Sequence, residues 1–136
     1  MFPRFQLVAL AVCSLAALWG STAALAQPVG QTSLEMLAIQ GRWIRTDAPY
    51  VIELSHAQGG SLQALYFNPK PIHVSKTDAV EQGGMVQVMI ELQDVGYPGS
   101  TYVLRYKRAQ DTLQGIYFHP ASQQSYEVGF VRQIAK

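Results

Sequence analysis

Tyrosine is the residue type that offers this sequence most of its chemistry. The chain has 7 tyrosines, and strand alternation predicts interior positions for Tyr50, Tyr66, Tyr102, Tyr106, Tyr117 and Tyr126. A buried tyrosine hydroxyl needs a hydrogen-bond partner, so these residues predict a polar network, ordered water or a ligand inside the fold. Two interpretations stay open. The rings either extend from a rim, so that the hydroxyls reach solvent, or line a cavity for a small apolar or aromatic molecule.

The three histidines do not form a metal-binding or catalytic motif. His56, His73 and His119 fall on a predicted turn, a strand start and a strand end, and no two have metal-ligand spacing on one element. The sequence contains no G-x-S-x-G, no H-E-x-x-H and no phosphate-binding loop. We therefore predict that the protein is not an enzyme and that it has no catalytic residues, no metal site and no cofactor.

Residues 1–26 have the three parts of a secretory signal peptide. Arg4 precedes an apolar run over residues 7–19, and Ala24-Leu25-Ala26 supplies an A-x-A cleavage site. The apolar run is too short to cross a membrane as a helix. We predict cleavage near Ala26, which leaves a periplasmic or secreted chain of residues 27–136 that does not span a membrane.

Cleavage would also change the composition of the chain. The single cysteine, Cys13, lies in the predicted signal peptide, so the mature chain would have no thiol for a disulfide, a metal site or a nucleophile. Loss of Arg4 leaves nine basic side chains against nine acidic ones. This balance does not favour binding to nucleic acid or to an anionic membrane.

Two related hairpins dominate the mature sequence, at residues 50–69 and 102–120. Each has an alternating strand, a polar turn and a second β-rich run that ends at proline. With a one-residue deletion in the turn, Tyr50 matches Tyr102, and the run Tyr66-Phe67-Asn68-Pro69 matches Tyr117-Phe118-His119-Pro120. Internal duplication and convergence on a common pattern both explain the match. A lone hairpin is marginal in water, so the pair predicts a larger antiparallel sheet.

The fold predicted from these patterns is all-β: an eight-stranded antiparallel meander barrel over residues 41–136. Its turns fall at Gly59-Gly60, Gly83-Gly84 and Pro98-Gly99. Closure removes both exposed edges of the sheet, which favours a barrel over a two-layer sandwich. The alternative assignment, a sandwich, would leave edge strands open.

The segment over residues 27–40 is predicted to contain a short helix that closes one end of the barrel. Thr32 to Glu35 fits a capping box, and Gly41 provides a stop. Leu34, Leu37 and Ala38 would form its apolar face.

Outward apolar residues give a second type of candidate site. Matched positions on two strands carry Leu65, Phe67, Ile116 and Phe118 on faces predicted to be exterior, and Tyr97 lies in a predicted loop over residues 94–100. Exposed apolar patches and aromatic residues on loops commonly contact other proteins. These five residues are predicted to form an interaction surface.

The sequence resembles the calycin superfamily of small barrels, which includes avidins and lipocalins. Gly41-Arg42-Trp43 follows a short closing helix, residues 59–66 look like the second hairpin of avidins, and Arg132 lies on the last strand. The resemblance implies that Trp43 plugs one barrel end with Arg132 over its ring. Avidins line their biotin site with several tryptophans, whereas the mature chain has Trp43 alone, so the resemblance does not extend to biotin.

Two functions follow from these observations. The first is a barrel that binds a small apolar or aromatic molecule through Trp43 and the six interior tyrosines. The second is a protein-interaction module, an inhibitor or an envelope accessory factor, that uses residues 94–100 and the outward apolar side chains. They differ in whether the barrel interior is hollow or filled by its own side chains.

Overall fold

The computed structural model describes residues 32–134, so the predicted signal peptide and its cleavage site lie outside the described residues. The described residues form one short helix and nine strands: α1 (Leu34–Ala38), β1 (Gly41–Arg45), β2 (Val51–His56), β3 (Leu62–Asn68), β4 (Lys70–Ile72), β5 (Val74–Gln82), β6 (Met85–Asp94), β7 (Tyr97–Lys107), β8 (Thr112–His119) and β9 (Gln124–Arg132).

All nine strands belong to one sheet, in the order β4-β3-β2-β1-β9-β8-β7-β6-β5. Every ladder is antiparallel, and the strands nearest the two ends of the chain, β1 and β9, pair with each other in the middle of that order. The sheet curls into a nearly closed barrel. The two end strands flank a seam, and across it β3 and β5 bring Cα atoms within 8 Å of each other.

The all-β antiparallel barrel predicted from the sequence is confirmed, with one strand more than expected. The additional strand is the short β4, which pairs with β3, whereas β5 pairs with β6. A central strand donates backbone N–H groups to the neighbouring strands on both sides, and Pro69 and Pro71 have no N–H to donate. This explains why the segment forms a separate edge strand.

Alternation assigns the interior faces correctly on the central strands. On β6, four alternate residues are buried, and β2, β7 and β9 each contribute two more. These core residues are Val86, Val88, Ile90, Leu92, Ile52, Leu54, Tyr102, Leu104, Val128 and Phe130. One face of the sheet therefore forms a continuous apolar core, as period-two patterning requires.

The closed end of the barrel is built on Trp43 and Arg132. The Trp43 side chain is fully buried, and its indole Nε1 donates to the carbonyl of Ile39 at 2.9 Å. The guanidinium carbon of Arg132 lies 4.2 Å from the Trp43 ring centroid. A cation placed over an indole at this distance is attracted by the negative face of the ring.

Arg132 also joins three parts of the chain by hydrogen bonds. Its two Nη atoms donate to the carbonyls of Gln40 and Ala38 at 2.6 and 2.7 Å, which satisfies carbonyls at the C-terminal end of α1. Nε and Nη2 donate to Asp111 at 2.7 and 2.9 Å, in the turn between β7 and β8. The Arg132 hydrogen bond to Asp111 raises the pKa of Arg132 and lowers that of the carboxyl.

Gly41 makes room for this arrangement. Its φ of +128° is unusual for other residues, and a Cβ at this position would lie 2.9 Å from Nη1 of Arg132. Glycine is therefore favoured at position 41 because a side chain there would collide with Arg132.

The helix differs from the prediction in its cap and in its buried face. Ser33 rather than Thr32 is the N-cap, and its Oγ accepts a hydrogen bond from Met36 N at 3.1 Å. Leu34 and Leu37 are exposed, whereas Ile39, just after the helix, is fully buried and Met36 packs against the core. A five-residue helix is too short to present a continuous apolar stripe, so the residue that follows it fills the barrel end.

The predicted loop over residues 94–100 is wrong, because this segment is a tight turn followed by a bulged strand. Asp94 pairs with Tyr97 across Val95-Gly96, and β7 starts at Tyr97. Pro98 pairs with Gln93, but Ser100 pairs with Leu92, so that β7 has one extra residue at Gly99. Such a bulge increases the local twist and redirects side chains near a sheet end.

The two matched hairpins are β2–β3 and β7–β8, with a register that differs from the sequence match. Tyr66 pairs with Ile52, whereas Tyr117 pairs with Tyr102. The structural counterpart of Tyr102 is therefore Ile52 and not Tyr50. Because the difference is two residues, the interior faces are the same in both alignments.

Replacement of Trp43 tests the closed end. We expect Trp43→Ala to lower the free energy of unfolding by roughly 3–5 kcal/mol, because it removes a buried aromatic ring and the surface on which Arg132 rests. Urea unfolding followed by circular dichroism measures the change. A loss below about 1 kcal/mol would contradict the burial of this ring.

A pair of glycines tests how closely β7 and β8 approach. A Cβ on Gly115 would lie 1.9 Å from the Val103 carbonyl oxygen, whereas a Cβ on Gly129 would lie no closer than 3.6 Å to any atom of a non-neighbouring residue. We expect Gly115→Ala to cost about 1–3 kcal/mol of stability. Gly129→Ala is the control, with an expected effect between none and about 1 kcal/mol of stabilisation. Equal effects in chemical denaturation would refute the close approach.

Candidate functional site

Tyrosine rings form most of the wall of a cavity of about 330 Å³. Neither Trp43 nor Arg132 lines it. It opens to solvent beside the β1–β2 connection, where Asp47 and Ala48 form part of its rim. The lining residues are Arg45, Asp47, Ala48, Tyr50, Tyr66, Tyr97, Tyr102, Tyr117 and Tyr126. Its volume lies at the lower end of the roughly 300–1,000 Å³ typical of small-molecule sites.

The cavity wall is a continuous cluster of aromatic rings. Tyr66 contacts Tyr50, Tyr97 and Tyr102 with centroid distances of 6.3, 6.0 and 5.6 Å. Tyr102 continues the cluster to Tyr117 at 4.7 Å. Such edge-on and tilted ring pairs are favourable arrangements. The site therefore offers ring faces and edges from several strands, held by mutual packing.

Tyr66 and Tyr102 close the bottom of the cavity. Both side chains are buried, and their hydroxyl oxygens are 3.1 Å apart, which forms a hydrogen bond between β3 and β7. Burial raises the pKa of Tyr102 to about 12, although the bond to Tyr66 and the charge of Arg45 act in the opposite direction. Burial also raises the pKa of Tyr66, and the neighbouring Tyr102 adds to this effect.

Ser100 adds a polar group beneath this cluster. The residue is fully buried on the interior face of β7, and no residue in the described chain forms a hydrogen bond with its Oγ. Its hydroxyl approaches the Tyr117 side chain without reaching good hydrogen-bond geometry. A buried hydroxyl without a partner is a natural contact for ordered water, and Ser100 is not one of the residues that line the cavity.

Arg45 supplies positive charge to the cavity. It forms a two-point ion pair with Asp47, with distances of 2.6 and 3.2 Å, and its guanidinium carbon lies 5.4 Å from the Tyr50 ring centroid. Only 12% of the Arg45 side chain is exposed, against 60% of the Asp47 side chain. The hydrogen bond from Arg45 lowers the pKa of Asp47. Burial opposes the charge on Arg45, but Asp47 keeps the pKa of the guanidinium above its usual value.

Two chain segments hold Tyr97 in the cavity wall. Asn68 Nδ2 donates to the Tyr97 hydroxyl. The backbone N–H of His73 donates to the Asp94 carboxylate at 2.8 Å, and His73 Nδ1 lies 3.1 Å from the carbonyl oxygen of Gln93. The hydrogen bond from His73 lowers the pKa of Asp94. These bonds connect the end of β3 and the start of β5 to the β6–β7 turn.

Five of the seven residues predicted to bind a ligand line this cavity: Tyr50, Tyr66, Tyr102, Tyr117 and Tyr126. Tyr126 is 45% exposed at the rim and stacks on Tyr117. The other two, Trp43 and Tyr106, contact each other at 6.0 Å at the closed end, where the Tyr106 hydroxyl donates to Asp111 at 2.9 Å. Tyr97, which was predicted to face a protein partner, lines the cavity instead.

Arg45 and Asp47 were not identified from the sequence as candidate site residues. In the run Gly41-Arg42-Trp43-Ile44-Arg45, alternation places Arg45 on the same face as Trp43, so the signal for an interior cation was present. Asp47 lies in an irregular connection, where no period predicts its direction.

The outward apolar residues lie on two separate strands. Leu65 and Phe67 belong to β3, and Ile116 and Phe118 to β8, with β2, β1 and β9 between them. Leu65 is 55% exposed, whereas Phe67 is partly covered by the guanidinium of Arg42, 5.6 Å from the ring centroid. The four residues therefore form two small patches and not one surface.

A larger depression of about 720 Å³ lies on the outside of β7, β8 and β9. Its lining includes Arg105, Lys107, Gln114 and Glu127, all of which are exposed side chains, with Ile116 beside them. Long exposed side chains define this groove loosely, and its charges are of both signs. The smaller cavity is the better candidate because rigid aromatic groups converge there.

Within residues 32–134, no group of three or more His, Cys, Asp or Glu side chains is arranged to hold a metal ion. No helix in that part of the chain has the length and apolar character required to cross a membrane.

Comparison of the chain with protein-family models, with curated proteins and with solved structures finds no match.

Alkaline titration tests the burial of the tyrosine hydroxyls. We expect Tyr66 and Tyr102 to stay protonated as pH rises through 10, the usual tyrosine value, and to ionise together when the protein unfolds. Because both pKa values are raised in the folded state, the stability they confer is present below about pH 10 and is lost as pH rises towards 12. The last rise in phenolate absorbance, which reports Tyr66 and Tyr102, should coincide with the loss of the folded circular dichroism signal. Tyr66→Phe should reduce the amplitude of this rise, whereas ionisation of all seven tyrosines before unfolding would contradict burial.

Proposed function

We propose that this protein is a small-molecule-binding barrel of the calycin type whose ligand contains an aromatic ring. The observation that carries this proposal is the cavity of about 330 Å³ lined by six tyrosines. Stacked and edge-on rings favour a flat aromatic guest because its faces and edges match theirs electrostatically.

The architecture supports the calycin part of the proposal. Trp43 is buried under Arg132 at one end, the strands nearest the chain ends pair with each other, and a short helix lies beside the closed end. This arrangement leaves the opposite end free for binding, since the chain connections there are short turns and a single irregular segment at residues 46–50. We further propose that the protein is exported, with its signal peptide removed near Ala26, and that it has no catalytic role.

The polar groups of the cavity support binding of a ligand with one hydrogen-bonding group. When two hydroxyls share one hydrogen bond, as those of Tyr66 and Tyr102 do, the proton of the accepting hydroxyl remains available to a third group. Six of the nine lining residues are tyrosines, so a ring with a single polar substituent suits the cavity better than an aliphatic chain.

A protein-interaction module remains the second proposal, supported by the exposure of Leu65 and of Ile116 and Phe118. Because these residues lie on two separated strands, each patch is small, and apolar interaction sites usually form one contiguous surface. The cavity therefore supports the first function more strongly.

A matched pair of substitutions tests the binding function. Ala48 forms part of the cavity rim, whereas Ala109 is exposed in the β7–β8 turn at the closed end. Ala48→Phe should fill the cavity mouth and prevent binding, and Ala109→Phe should change the surface without affecting the cavity.

The measurement is thermal unfolding with neutral aromatic probes: phenol, indole and benzamide. A ligand at ten times its Kd that binds only the folded state adds about 1.4 kcal/mol, which raises Tm by several degrees. We expect this shift in the natural protein and in Ala109→Phe but not in Ala48→Phe. An equal shift in both variants would place binding elsewhere.

A further inference from the structure

Arg45 gives the cavity a chemical preference beyond aromatic character. It is the last residue of β1 and points to the same side as Trp43, so its guanidinium is part of the wall and not of the outer surface. The side chain is 12% exposed and rests on the Tyr50 ring. A guanidinium held in this way has lost most of its freedom before any ligand arrives, which favours binding of an anion.

The donors of Arg45 are only partly used. Its hydrogen bonds with residues 32–134 involve Nε and Nη2, both directed to Asp47, and Nη1 has none with these residues. The guanidinium also lies near the Tyr102 hydroxyl, at the bottom of the cavity. A carboxylate between these groups would accept from a guanidinium N–H and a phenol O–H together.

Asp47 is the acidic side chain that faces this cavity. It lies on the connection between β1 and β2, outside any strand, and most of its side chain is in solvent. Because the Asp47 carboxylate is mostly in solvent, water can replace its hydrogen bonds when a competing carboxylate displaces it from Arg45. Asp47 therefore behaves as a built-in counter-ion that holds the guanidinium in place while the cavity is empty.

We propose that the cavity selects aromatic carboxylates, with Arg45 as the anion-binding residue and Asp47 as the competing carboxylate that the ligand displaces. This inference rests on the proposed function, since it assigns a substrate class to the same cavity. The rings contact the aromatic part of the ligand, and the Arg45 and Tyr102 side chains contact its carboxylate.

Benzoate and benzamide separate charge from shape, because they have nearly the same size and only benzoate is an anion at pH 7. We expect the natural protein at low ionic strength to bind benzoate at least fivefold more tightly than benzamide, as measured by calorimetry or by amide shifts in NMR spectra. Added salt should weaken benzoate binding and leave benzamide binding unchanged.

Two substitutions test the assigned roles. Asp47→Asn removes the competing carboxylate and should strengthen benzoate binding about fivefold relative to benzamide binding. Arg45→Gln should weaken benzoate binding at least tenfold, and more than it weakens benzamide binding, so that the preference for benzoate is lost. A gain of affinity in Asp47→Asn cannot arise from misfolding, so this variant keeps the test valid if Arg45→Gln is unstable.

The chain offers controls with the same changes of charge on the outside of the barrel. Arg42 and Glu53 form an exposed ion pair at 3.0 Å on β1 and β2, away from the cavity lining. Arg42→Gln and Glu53→Gln should leave the affinity for benzoate unchanged. If Glu53→Gln strengthens benzoate binding as much as Asp47→Asn does, net charge explains the effect and the role of Asp47 is refuted.

The outcomes distinguish this inference from the function on which it rests. Benzamide binding with no preference for benzoate would refute the role of Arg45 and leave the aromatic-binding function standing. If neither probe binds the natural protein or Asp47→Asn, the proposed function is refuted together with the inference. A preference for benzoate that Arg45→Gln abolishes supports both.

Discussion

The contact between Arg132 and Trp43 is the constraint on which the architecture depends. It brings the last strand over a ring on the first strand, and the same guanidinium binds the carbonyls of Ala38 and Gln40 and the carboxylate of Asp111. Helix, first strand, last strand and the β7–β8 turn therefore meet at one cation. Because this end is sealed by packing and hydrogen bonds, the polar tyrosine cluster can occupy another part of the interior without exposing the apolar core.

Much of this fold could be predicted from the sequence because its strands follow a strict period. Val86 to Leu92 on β6 alternate without interruption, and a one-residue error would have exposed the whole set. The predictions failed where the period breaks, at the prolines of residues 69–71 and at the bulge around Gly99. At these positions the register depends on how many residues lie between two paired segments. Pairing with neighbouring strands determines that number, and local propensity does not.

The candidate site was only partly predictable for a related reason. Alternation could place tyrosines inside the barrel, but it does not say at which end of the interior each ring lies. Only the register of all strands together shows that Tyr102 lines the cavity whereas Tyr106 lies at the closed end. Tyr97 begins β7 and does not lie in a loop, and alternation along that strand does not predict its direction because the bulge at Gly99 interrupts the period. The position of Arg45 in β1 follows the interior period of Gly41 and Trp43, but its charge is more typical of an outward side chain.

The pairing of β1 with β9 also determines how the chain can fold. Trp43 and Arg132 are far apart in sequence, and β1 has no partner on one side until the last strand is present. Long-range pairing of this kind slows folding, because loop entropy is lost before the contact is formed. A nascent chain therefore exposes an open edge of the sheet until β9 has been synthesised, and the exposed β-edge is the form most prone to association with other unfolded chains.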